Sequence, residues 1–251
     1  MGLVDTEAII LRSYRLAEAD KIVISLTKSA GVVRGVANGA RRLKSKYGAS
    51  LEPFTLVTLN YYEKEGRELV SLRHVEILKS YFDLARNTEA VHALEYWGEL
   101  VLEFAPPHEP NEKLFRMAKA CVEALAEEPG QVDACVRYFE IWTLKLAGFL
   151  PDLRACAACK RELGEDETAT INLDQTLHCA ACSKHVGDKW SSESLKRMRL
   201  IQRVSPLNFA RASTGSAMAA RRELSQITER LIARALERAP RGHSNFITAD
   251  N

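Results

Sequence analysis

The chain has 251 residues, 46% of them hydrophobic and 27% charged, with 35 Lys and Arg against 33 Asp and Glu. That is enough to bury a core of two or three units of ordinary globular composition. It contains no apolar run long enough for a membrane span, and Met1 to Glu7 lacks the basic and apolar regions of a secretory signal. The near-neutral total hides an asymmetry. Residues 1–80 carry 13 basic against 9 acidic side chains, 81–150 carry 6 against 12, 151–186 carry 4 against 6, and 187–251 carry 12 against 6. Two basic ends around an acidic middle point to an anionic partner at the ends.

Short β-rich runs open the chain: Asp5 to Tyr14, Lys21 to Leu26 after a break at Glu18-Ala19-Asp20, and Val32 to Ala37 after the turn Ser29-Ala30-Gly31. Phe54 to Tyr62 alternates with period two, and Glu65-Gly66 turns it into Leu69 to Leu72, with Arg73 to Leu78 readable as strand or helix start. Five short strands without crossover helices predict a small closed barrel over residues 1–80, an OB-fold by size and strand number.

From Thr88 the period becomes helical. Val91, Leu94, Trp97, Val101 and Phe104 form an apolar stripe ended by Pro106-Pro107. Asn111 caps a second helix, and Pro129-Gly130 separates it from a third that carries Val132, Cys135, Val136, Phe139, Trp142 and Leu146. These predict an antiparallel three-helix bundle over 81–150, with Cys121 and Cys135 in its core. Ser191 or Ser192 caps a further helix ending before Pro206, and a long helix runs from about Ser216 to Arg238. Residues 187–251 are expected to return to the bundle, so that residues 151–186 form an insertion. The expected class is α+β multidomain.

That insertion holds two C-x-x-C pairs, Cys156/Cys159 and Cys179/Cys182, with 19 residues between them. A tetrahedral ion needs soft ligands on two sharply bent loops, and this spacing supplies both, joined by a stretch suited to a short hairpin. One structural zinc is the expectation. An iron site is the redox alternative, and a dithiol switch lacks the βαβ context it uses elsewhere. Four thiolates close the shell, so His178 and His185 are read as neighbours, not ligands.

The window Lys21 to Leu51 contains seven basic residues and no acid. Arg34, Arg41, Arg42, Lys44 and Lys46 are its core, and Gly35, Gly39 and Gly48 punctuate it. Phosphate contacts require cations on a backbone able to follow a strand, and Tyr47 and Tyr14 are the aromatic candidates for base stacking. A second cationic group is expected near the C-terminus: Lys196, Arg197 and Arg199 on one helix, and Arg230, Arg234 and Arg238 at four-residue spacing on the next. Nucleotide-cradling, zinc-protease and nucleophile-elbow motifs are missing. The chain is therefore not expected to be an enzyme; the alternative is a zinc-ribbon nucleic-acid enzyme or a redox protein using the four cysteines.

The order of Glu18-Ala19-Asp20-Lys21, then Gly35-Val36-Ala37-Asn38-Gly39-Ala40-Arg41-Arg42-Leu43-Lys44-Ser45, then Leu51-Glu52-Pro53-Phe54, resembles the RecO family of bacterial recombination mediators. The similarity continues through the helical region and the four cysteines and loosens beyond Pro206. It implies an OB-fold, a helical domain and a zinc module. It also implies binding of single- and double-stranded DNA, annealing of complementary strands, and loading of RecA, together with RecR, onto strands covered by single-strand-binding protein. The acidic tail of that protein would suit the C-terminal cations. A cytoplasmic, nucleoid-associated bacterial protein is the corresponding expectation, without membrane partners.

Overall fold

The computed structural model describes residues 2–63, 66, 68–172, 174–183 and 187–239. It divides into two compact units, Met1–Pro129 and Gly130–Asn251.

In the first unit, β1 (Gly2–Arg15), β2 (Lys21–Thr27), β3 (Gly31–Ala37), β4 (Leu56–Glu63) and β5 (Leu69–Lys79) close a barrel in the order β1-β2-β3-β5-β4. The closure comes from the parallel pairing of β3 with β5, Arg34 opposite Leu69 through Val36 opposite Ser71, and the antiparallel pairing of β4 with β1. This is the OB-fold expected from the strand count. Arg73 to Leu78 continues β5 as strand, and Glu65 of the expected turn lies outside the described residues. Ala8, Ile10, Val23, Val33, Val57, Leu59, Val70 and Leu72 fill the interior. On β1 the alternate residues Ile9 and Leu11 are also buried, each 2% exposed, because α1 (Thr88–Phe104) and α2 (Glu112–Glu127) pack on that strand from outside. A strand covered on both faces reads as a continuous apolar run.

Asn87 and Asn111 cap α1 and α2, their side chains accepting from the amides of Ala90 and Leu114 at 3.1 and 3.0 Å. The link between the helices crosses back to the barrel, where the His108 amide donates to the Val32 carbonyl at 3.1 Å. Gly31 makes this approach possible. Its φ is +64°, and a Cβ there would sit 2.0 Å from the Glu109 carbonyl oxygen.

In the second unit α3 (Val132–Leu146) is the central helix, packed by α4 (Ser192–Ile201), α5 (Pro206–Ala212) and α6 (Met218–Leu236). Of the three helices expected to form one bundle, α1 and α2 pack on the barrel in the first unit, and α3 organises the second. Helix periodicity shows that each helix has an apolar face but not which surface covers it. Between α3 and α4 lies a three-stranded sheet, β6 (Ala169–Ile171), β7 (Leu177–Cys179) and β8 (Asp188–Trp190), in the order β7-β6-β8. β6 and β7 are the hairpin expected between the cysteine pairs. β8, beyond the expected limit at 186, adds the third strand and buries Trp190.

Among the described residues, no helix is long and apolar enough to cross a membrane. Cys121 and Cys135 are fully buried in helix cores.

Candidate metal centre and nucleic-acid interface

The two C-x-x-C segments fold as matching knuckles. In the first, the Lys160 amide donates to the Cys156 carbonyl at 2.9 Å, with Lys160 in the left-handed region at φ +60°. In the second, the Ser183 amide donates to the Cys179 carbonyl at 3.0 Å. The first knuckle is tied to the second hairpin strand through the Ala157 amide and the Leu177 carbonyl, 2.8 Å apart. The four Sγ atoms of Cys156, Cys159, Cys179 and Cys182 consequently lie within 4.8 Å of one another, with Cys159 and Cys179 at 4.0 Å.

The thiols are electrostatically unlike. Burial disfavours the Cys156 thiolate, but hydrogen bonds from the backbone of Cys159, Cys179 and Ala158 outweigh it and bring the pKa down to about 6. Cys179 is also lowered, by the Cys182 backbone against burial and with help from the Arg161 guanidinium. Cys182 is pushed up to about 12 by its hydrogen bonds to Cys179 and Cys159. Thiolates crowded this closely need a cation to be charged together. Four soft sulfurs with amides directed at them suit a tetrahedral zinc ion, held by Cys156, Cys159, Cys179 and Cys182. Such an ion would crosslink the knuckles and leave no open coordination position. His178 is not part of the cluster; its Nε2 is 2.9 Å from Thr176 Oγ1. His185 lies outside the described residues.

Residue-level reasoning did not find the groups that attach this module to the helices. Within the module, Arg161 pairs with Glu167 at 2.8 Å beside the knuckle, and the attachment to the helices is made by other groups. Asp188 on β8 receives Arg230 at 3.0 Å and Arg234 at 2.9 Å from α6. Glu223, also on α6, accepts from the amide and hydroxyl of Ser191, the N-cap of α4. An isolated Asp or Glu in sequence carries no signal for such long-range roles.

These attachments correct the reading of the C-terminal cations. Arg197 is 8% exposed and donates to Ser213 and Ser216 at 3.1 and 2.8 Å. Arg199 donates to the carbonyls of Leu153, Leu163 and Gly164 in the four-cysteine module. Lys196 pairs with Asp166 at 2.6 Å. The three do not form one open face: α4 turns Arg197 toward α5 and Arg199 toward the insertion. Arg230 and Arg234 clasp Asp188, so the α6 stripe is neither free nor simply solvated.

In the first unit the cationic segment joins β3 to β4 and ends in a 3-10 turn, Gly48–Leu51. Arg34, Arg41, Arg42, Lys44 and Lys46 are all exposed. Two of them also hold the segment in place. Arg41 donates to the Ala17 and Glu18 carbonyls at 3.0 and 2.8 Å, and its amide donates to Ala19 at 2.9 Å. Lys46 donates to the Arg73 carbonyl at 2.6 Å. The side chains of Arg34, Arg42 and Lys44 make no hydrogen bond or ion pair among the described residues. Tyr47 is 4% exposed, packs in the barrel core and donates to the Leu72 carbonyl at 3.0 Å, so it is not available for stacking on a base. Burial accordingly raises its phenol pKa. Tyr14 is 46% exposed.

Residues 1–81 match the family described as Recombination protein O N terminal, and residues 85–244 match Recombination protein O C terminal. The DNA repair protein RecO of Koribacter versatilis is 34% identical over 236 residues, covering 93% of this chain and 96% of that protein. That of Anaeromyxobacter sp. strain K is 32% identical over 186 residues, 74% of this chain and 73% of its own, and that of Geobacter metallireducens is 34% identical over 181 residues, 72% of each. With family matches over residues 1–81 and 85–244 and a relative 34% identical over 93% of this chain, the chain belongs to the RecO family.

Proposed function

We propose that this protein is a non-enzymatic DNA repair mediator whose cationic β3–β4 segment binds single- and double-stranded DNA. The observation that carries the reading is an OB-fold barrel in which an acid-free stretch exposes Arg34 on β3 and Arg42 and Lys44 on the loop that follows, their side chains unengaged among the described residues. Relatives named as DNA repair proteins support the biological setting. Side chains of this kind contact phosphates irrespective of sequence. By suppressing repulsion between two backbones, they favour annealing of complementary strands without nucleotide hydrolysis.

Action with RecR to load RecA onto strands covered by single-strand-binding protein, at the bacterial nucleoid in the cytoplasm, belongs to the same proposal. One zinc held by Cys156, Cys159, Cys179 and Cys182 is assigned a structural role. The functional division is a nucleic-acid-binding barrel over residues 1–80 and a helical part interrupted by the metal module.

Anisotropy of labelled single-stranded DNA at two salt concentrations tests this. Replacing Arg34, Arg42 and Lys44 with Ala should weaken binding to all sequences alike and reduce the salt slope by about one unit per lost contact. Unchanged affinity and slope would overturn the assignment of the loop.

A further inference from the structure

The connection that carries the cations also builds a pocket. Beyond Lys46 it forms the 3-10 turn and then residues 49–55, which with the end of β1, residues 80–85 and one face of α1 enclose about 550 Å³. Phe54 and Leu94 belong to its buried wall. Phe54 holds a left-handed backbone, φ +58°, and its amide donates to the Ile10 carbonyl at 2.6 Å. A bulky residue at positive φ costs free energy and persists only where its surroundings demand it. Tyr14 and Phe82, 46% and 71% exposed, line the same pocket. Exposed aromatic rings grouped at the mouth of an apolar pocket, unlike scattered single ones, mark a binding site.

We propose that this pocket takes an unstacked nucleobase from a single strand whose phosphates lie on the adjoining cationic segment. The proposal rests on the DNA-binding reading above and adds to it a base site separate from the phosphate contacts. Continuity supports it, because one connection supplies Arg41, Arg42 and Lys44 and, a few residues later, the pocket wall. Arg41 is also bonded to the loop that follows Tyr14, through Ala17 and Glu18.

The chemistry of the lining supports it as well. A base is a flat apolar body with donors and acceptors along one edge. The pocket is lined by the aromatic residues Tyr14, Phe54, Tyr81 and Phe82 and by the charged residues Arg12, Glu52 and Glu95, the Arg12 guanidinium donating to the Glu95 carbonyl at 3.4 Å. The two carboxylates disfavour a phosphate inside, which leaves the backbone on the cations and directs the base inward.

The experiment compares a labelled oligothymidylate with an abasic phosphodiester strand of equal length, using the full chain. Parent protein should bind the thymidylate more tightly. Phe82→Ala and Tyr14→Ala, both at exposed positions, should each weaken thymidylate binding about tenfold. They should leave abasic binding and the salt slope unchanged, whereas the basic-segment variant should weaken both ligands. Photocrosslinking of 5-iodouracil-substituted DNA to the parent should label the peptide containing Tyr14 or Phe82. Equal binding of thymidylate by parent and aromatic variants, or crosslinks confined to other peptides, would overturn the base site and leave phosphate binding standing. If the parent binds neither strand, the DNA reading itself fails.

Discussion

Burial and partner decide what each charged side chain does in this protein, and equal charges behave differently. Arg137 and Glu140 on α3 are 1% and 0% exposed and pair at 3.0 Å, and Arg137 also pairs with Asp133 and donates to Ser225 and Thr228 of α6. Removing one partner of such a pair leaves a buried charge and is strongly destabilising. The thiols are the opposite case, readable individually because four of them recur at ligand spacing. Cys156→Ser or Cys179→Ser should reduce bound zinc and thermal stability together, as measured by elemental analysis and melting, since structural metal contributes directly to folding. A variant that melts like the parent while holding no zinc would contradict the structural role. Glu223 makes a prediction about pH. Burial raises its pKa, but the hydrogen bonds from Ser191 prevail and hold it below the ordinary glutamate range. Its contribution is therefore complete above the ordinary range and is lost as pH falls through the lowered folded value. Glu223→Gln should be less stable than the parent at neutral pH, with the difference shrinking in acid; a difference independent of pH would show that the charge is immaterial.

Helix starts were legible because their caps are local. Asn111 and Ser191 each precede an apolar-periodic run, and each accepts a backbone hydrogen bond within its own first turn. Short elements were not: α5 has seven residues and β8 three, too few to show a period. The Arg230–Arg234 spacing was visible, but its purpose depends on β8, which places Asp188 opposite both. Asp188→Asn should loosen α6 from the three-stranded sheet and cost about 1–2 kcal/mol, the range for charge-assisted hydrogen bonds that are partly solvated. Chemical denaturation would measure it, and an unaltered midpoint would show that the clasp contributes nothing. In the cationic segment, Arg41 and Lys46 brace the loop through backbone carbonyls, while Arg34, Arg42 and Lys44 face outward. The charge run predicted the surface but not this division of roles, because carbonyl partners leave no mark in sequence.

The units differ in what holds them together. The barrel closes on its own hydrogen-bond ladder and apolar interior, whereas the second unit includes a small module whose sheet is three strands of three residues. So small an apolar core needs a crosslink. Chelation should therefore raise amide exchange in β6, β7, β8 and the first turn of α4 while leaving β1 to β5 protected, as followed by hydrogen–deuterium exchange; uniform loosening would refute a local role for the metal. Sequence alone determined the four-cysteine cluster, the five barrel strands and the principal helices. Each of these rests on short-range regularity: ligand spacing, alternation of period two, or an amphipathic stripe after a cap. Only the tertiary structure decided that α3 packs with α4 to α6, that Tyr47 belongs to the core, and that Arg197, Arg199, Arg230 and Arg234 hold the second unit together. The physical reason is that burial and ion pairing depend on which distant surface arrives opposite a side chain, and the packing of whole elements sets that.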